Sequence, residues 1–128
     1  VWADTFAANV TGVFLTIEAL LSNLRAAGGK VAIISSQMGS SERAGGNAFA
    51  YRASKAAALN LGRNLAVDLF TDVAVGIYHP GWVQTDMGGA KADITVDESS
   101  SGLQRRFDLL GPDTTGCFEM WNGEAMPY

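Results

Sequence analysis

Residues 30–36 read KVAIISS. Seven residues are too few for a helix, and the run is β-branched and apolar on both faces, as in an interior strand of a parallel sheet. Gly28-Gly29 stops whatever precedes it, and the Gly- and Ser-rich QMGSSERAGGNAF of 37–49 follows as a loop. Upstream, Phe6, Val10, Val13, Phe14, Ile17, Leu20, Leu21 and Leu24 recur every three or four residues. The spacing predicts one long amphipathic helix over 2–27, with Asp4 near its start. Downstream, AYRASKAAALNLGRNLAVDLF (50–70) is rich in Ala and Leu and again helical, and VAVGIYHP (73–80) is a second strand closed by Pro80-Gly81. Residues 81–94 read as a mobile loop with three glycines, and Thr95-Val-Asp-Glu98 is a capping box opening a helix to about Leu110. CFEMWNGEAMPY closes the sequence as a strand, a turn and a tail. Helix, strand, helix, strand, helix, strand means right-handed crossovers and an α/β class: three parallel strands with flanking helices.

The 128 residues, 48% hydrophobic and 17% charged, suit a single domain over 1–128 and exclude an extended disordered chain. No uninterrupted apolar run approaches the roughly 18–20 residues of a membrane span, so the reading is a soluble protein. Nine Lys and Arg against thirteen Asp and Glu give a net charge of −4, which argues against general nucleic-acid or anionic-membrane binding. Cys117 stands alone, so neither an internal disulfide nor a Cys-based zinc site is expected, and no metal is; this fits a cytoplasmic location. The opening VWADTF has no basic start or apolar core of a signal peptide. Its first residue is Val rather than Met, which suggests that something upstream has been removed.

Ligands of open α/β sheets bind beyond the carboxyl ends of the strands. Two such ends are Ser35-Ser36 and His79-Pro80-Gly81, and the helix after the first begins Y-R-A-S-K. Tyr51 and Lys55, four residues apart, share one helical face. A phenol is a poor acid–base catalyst near pH 7, but a lysine ammonium within a few Å favours the phenolate. A serine hydroxyl at the neighbouring strand end then completes a device for moving a proton on or off a carbonyl or alcohol. The plainer reading is a half-buried aromatic beside a solvated charge. His79 reads as a packed residue with a local hydrogen bond, and Cys117 as a small hydrophobe.

ISSQMGS, YRASKAA and HPGWVQTDM, in that order, closely resemble the short-chain dehydrogenase/reductase family, in particular its C-factor-like or sniffer-like branch. The resemblance covers nearly the whole chain. It implies a partial Rossmann-like, doubly wound fold and hydride transfer between a nicotinamide, NAD or NADP, and a carbonyl or alcohol. It implies further that Tyr51 is the general acid–base and that Lys55 supports it and holds the nicotinamide ribose. Ser36 would orient the substrate carbonyl, with Ser35 the lesser candidate. Asn9 matches the asparagine that holds a proton-relay water. Pro80, Gly81, Val83 and Thr85 match the turn that meets the nicotinamide carboxamide, and 86–110 the substrate loop and its helix.

Members of the family run to roughly twice this length and begin with a strand and a TGxxxGxG turn that seats the cofactor pyrophosphate. Nothing here resembles that turn, so the sequence reads as the C-terminal catalytic half, with the pyrophosphate and adenosine sites absent. The isolated chain is expected to bind NAD(P) weakly and turn over negligibly. Helices 2–27 and 50–70 and a bare strand edge at 31–34 would favour a homo-oligomer. The different-class alternative is a truncated, non-catalytic homologue acting as an oligomerisation or interaction module. No nucleophile elbow, P-loop or partnered histidine supports hydrolysis.

Overall fold

The computed structural model describes residues 1–84, 89 and 91–128. Three parallel strands, β1 (Lys30–Ile34), β2 (Ala74–His79) and β3 (Phe118–Met120), lie in the order β1-β2-β3. Among the described residues four α-helices flank them: α1 (Trp2–Phe6), α2 (Gly12–Ala27), α3 (Phe49–Asp68) and α4 (Val96–Leu109). Lys30 pairs with Ala74 and Ile34 with Tyr78, while Ile77 pairs with Phe118. The α/β class and the three-stranded parallel sheet are therefore as the sequence predicts.

The predicted 2–27 helix is not one regular α-helix. A π-helical turn at Ala7–Thr11, centred on Asn9, joins α1 to α2. Asp4 lies in the first turn, where its charge suits the helix dipole, rather than capping it. Gly28, left-handed at φ 59°, ends α2 with Gly29 N–H donating to the Leu24 carbonyl at 2.8 Å. The whole stretch Trp2–Ala27 is long and apolar enough to cross a membrane by length and composition, a test that the core helix of a soluble protein or a signal sequence also passes. Frequent alanines raise its apolar content without any uninterrupted run of large apolar side chains.

The two faces of the sheet are built differently. Against one, α3 lays Ser54, Ala58, Gly62 and Ala66, a four-residue repeat of small buried side chains. A Cβ on Gly62 would stand 2.6 Å from Ile77 Cγ1, so the stripe sets how closely α3 can approach. Ile17 of α2 joins the same core with Ile33, Leu59, Val75 and Ile77. On the opposite face, Phe107 of α4 meets Tyr78 edge-on at 5.1 Å, and Lys30 Nζ donates to the Phe107 and Asp108 carbonyls that end α4. The predicted Thr95–Glu98 capping box starts that helix. β1 has the apolar faces of an interior strand but stands at the edge of the sheet, as the bare edge expected at 31–34, with Ile33 buried and Ile34 43% exposed.

Ile77, with no exposed surface, is the packing centre. Ile77→Ala should lower stability by about 3 kcal/mol in urea denaturation. Leu109→Ala, at a mostly exposed position, should change it by less than about 0.5 kcal/mol.

Candidate functional site

The parallel register brings the ends of β1 and β2 level, and Ser35 N–H extends the pairing by donating to the Tyr78 carbonyl at 2.8 Å. A cleft of about 710 Å³ opens there, lined among others by Ser36, Tyr51, Lys55, His79, Gly81 and Val83. Ser35 and Pro80 also line it, so Ser36 and Pro80, 44 positions apart in sequence, face one cleft.

The two serines are occupied differently. Ser35 is buried and its hydroxyl donates to the Lys55 carbonyl at 3.0 Å, so its proton is committed to the backbone of α3. Ser36 takes an extended backbone and caps the short 3-10 turn Gln37–Gly39, its Oγ accepting from Met38 N–H at 3.1 Å. That bond uses a lone pair and leaves the Ser36 proton to donate. Gly39 holds this turn against α3: a Cβ there would lie 2.7 Å from the Lys55 carbonyl carbon. Ala48, left-handed at φ 49° just before α3, strains the other end of the same loop.

Tyr51, in the first turns of α3, is partly buried, and Lys55 Nζ lies 5.7 Å from its ring centroid. Lys55 Nζ also donates to the Ile34 carbonyl at 3.2 Å, and burial lowers its pKa. Asn9 is not among the residues lining the cleft. Its Nδ2 donates to Ser54 Oγ at 3.0 Å, and the fully buried Ser54 donates to the Tyr51 carbonyl at 2.8 Å. Asn9 thus reaches the tyrosine's helix through Ser54, a link invisible in the sequence because 45 residues separate the two.

At the other wall, Gly81 has φ 87°, and a Cβ there would meet Ile94 Cδ1 at 2.6 Å and the Trp121 indole at 3.0 Å. Val83 bridges Ile94 in parallel: Ile94 N–H donates to the Trp82 carbonyl and Gln84 N–H to the Ile94 carbonyl. The N–H and C=O of Val83 itself point the other way in that pattern, and have no partner among the described residues. Thr85 lies outside the described residues.

His79 differs from the sequence reading. It is packed, but its Nδ1 is buried without a hydrogen-bond partner among the described residues. Burial, with a smaller push from the Arg43 charge, takes its pKa down to about 4, so the ring is neutral near pH 7. Cys117 sits beside β3 with Sγ 3.7 Å from the Tyr78 hydroxyl, and burial pushes its thiol pKa up. A half-buried ion pair beneath α4, Arg106 to Glu119 at 2.9 Å, was also not foreseen.

Residues 1–94 match the family model described as short chain dehydrogenase. The chain is 40% identical over 129 residues to C-signal of Myxococcus xanthus, covering 98% of this chain and 78% of that protein. Two solved structures superpose closely. The carbonyl reductase Sniffer of D. melanogaster does so at a TM-score of 0.93 and 28% identity, over 98% of this chain and 56% of the other. An NADPH-bound carbonyl reductase from chicken fatty liver does so at 0.89 and 30%, over 99% and 57%. The chain therefore spans little more than half the length of these two reductases.

The His79 environment makes stability depend on pH. An unfolded histidine titrates near 6.5 and the folded one near 4, so between these values the unfolded state holds the extra proton. Stability should fall as pH drops from 6.5 towards 4, by about 2 kcal/mol once partial solvent screening is allowed for. Chemical denaturation across that range should show the slope in the parent and a shallower one in His79→Gln.

Proposed function

The chain belongs to the short-chain dehydrogenase family, and from that premise we propose that it carries the proton-handling and nicotinamide-facing part of an NAD(P)-dependent oxidoreductase acting on a small carbonyl or alcohol. One observation carries the reading: Ser36, Tyr51, Lys55 and the turn Pro80–Val83 line a single cleft at the carboxyl ends of β1 and β2.

The cleft residues fit the nicotinamide end of the cofactor. The Val83 peptide groups, without a partner among the described residues, match a carboxamide, which needs one donor and one acceptor, and Lys55 supplies a cation for the ribose hydroxyls. The Thr85 hydroxyl is proposed to share the carboxamide. When bound, the reduced nicotinamide supplies a hydride to the carbonyl carbon. The Tyr51 hydroxyl gives its proton to the carbonyl oxygen, and takes it back in the alcohol-to-carbonyl direction. Ser36 donates to the same oxygen, holding it in line with Tyr51 and stabilising the charge it gains. The Lys55 ammonium, 5.7 Å from the centroid of the Tyr51 ring, offsets the negative charge left on the phenol oxygen. Asn9, acting through Ser54, holds the turn of α3 that presents Tyr51; the family resemblance adds a proton-relay water to its role.

We propose the remaining features on the same footing: a cytoplasmic enzyme that self-associates, and an isolated 128-residue chain with little affinity for the cofactor. Its sequence contains no glycine-rich turn for the pyrophosphate, from which much of a dinucleotide's binding energy derives. Isothermal titration should show no micromolar binding to the isolated chain. A second reading is a non-catalytic interaction module; the 40% identical relative is named C-signal.

Turnover separates the two. In the intact protein carrying this chain, loss of reduced nicotinamide absorbance with a carbonyl substrate should fall about 1,000-fold in Tyr51→Phe. Ser36→Ala should lower it about 100-fold. A parent without turnover whose association is unchanged by Tyr51→Phe would favour the interaction module.

A further inference from the structure

The turn Pro80–Gln84 is held from a direction that the family motifs do not contain. Ser99, one turn into α4, is 4% exposed, and its hydroxyl donates to the Pro80 carbonyl at 2.6 Å. Its own N–H is already used within the helix, on the Thr95 carbonyl. Two further bonds fasten the far end of the turn: Gln84 N–H donates to the Ile94 carbonyl at 2.8 Å and Gln84 Nε2 to the Ala92 carbonyl at 3.1 Å. Segment 92–99 is itself anchored, because α4 is tied to β3 by the bidentate Arg106–Glu119 pair and to β1 by Lys30. Gly102 packs against β3's exit so closely that a Cβ would lie 2.5 Å from the Trp121 carbonyl oxygen.

These contacts give the turn one position relative to the sheet. With Gly81 at φ 87° between Ile94 and Trp121, the turn could otherwise swing about the Pro80–Gly81 peptide, and the direction of the Val83 peptide groups would swing with it. The Ser99 bond acts at the pivot. A buried hydrogen bond of this kind is worth on the order of tenfold in an equilibrium, and its loss leaves the Pro80 carbonyl short of a partner.

We propose that Ser99 is a positioning residue: by holding the Pro80 carbonyl it aims the Val83 peptide groups at the nicotinamide carboxamide, coupling α4 to cofactor binding. The proposal rests on the oxidoreductase reading above. It concerns the nicotinamide end alone, which a general loss of structure would not single out.

The test is a titration of the intact protein with the reduced dinucleotide that binds the parent and with the matching ADP-ribose, which lacks the nicotinamide. Ser99→Ala should weaken the dinucleotide about 10-fold and leave ADP-ribose within about twofold, and Ser99→Thr should restore the parent value. Equal weakening of both ligands, or of neither, overturns the proposal. If Ser99→Ala does not fold, Ser99→Cys, a weaker donor of similar size, should show the same selective loss at smaller size, and an unselective effect again overturns it. A parent that binds neither dinucleotide fails the oxidoreductase reading and this inference together. A parent that turns over, loses activity in Tyr51→Phe and yet titrates identically in Ser99→Ala fails this inference alone.

Discussion

Parallel pairing of Lys30–Ile34 with Ala74–Tyr78 sets every later distance in the site. Because the strands run the same way in this register, Ser35-Ser36 and His79-Pro80 leave the sheet at one height, and the chain after each must turn over the same edge. Antiparallel pairing would send the two ends to opposite sides of the molecule. A slip of one residue would turn Ile33 out of the core and expose the α3-facing side of the sheet. Core packing and site geometry thus penalise the same error.

The second constraint is the approach of α3. Its small-residue stripe lets the helix backbone come close to β1 and β2, and that closeness makes short polar links possible: Ser35 to the Lys55 carbonyl and Lys55 Nζ to the Ile34 carbonyl. Larger side chains at Ala58 or Gly62 would lift the helix and break both. The two walls of the cleft are also stabilised independently. The serine side depends on α3 and Gly39, whereas the turn after β2 depends on α4 and Trp121.

Much of this was legible beforehand, in a patterned way. KVAIISS, the Ala- and Leu-rich helix and the capping box were read correctly because each is a local signal: β-branching, helical period, side-chain cap. The π-turn at Asn9 was not, since it interrupts an otherwise regular apolar period and its partner Ser54 is remote in sequence. The edge position of β1 follows from the family resemblance and the strand it lacks, not from composition, because an apolar strand looks alike whether or not its neighbour is present. His79 was misread for a related reason. A histidine at a strand end says nothing about which of its nitrogens finds a partner, and Nδ1 finds none among the described residues.

The sequence by itself determined the residue types and their order: a tyrosine and lysine one helical turn apart, a serine pair ending a strand, a proline and glycine ending the next. Periodicity and spacing are properties of the chain alone. Only the tertiary structure decided which serine hydroxyl is already donating, since that depends on the Lys55 carbonyl reaching Ser35 rather than Ser36. It also decided that Asn9 donates to Ser54, and that Ser99 grips the Pro80 carbonyl across the fold. Each is a hydrogen bond between groups distant in sequence, formed only once packing has brought donor and acceptor to within about 3 Å.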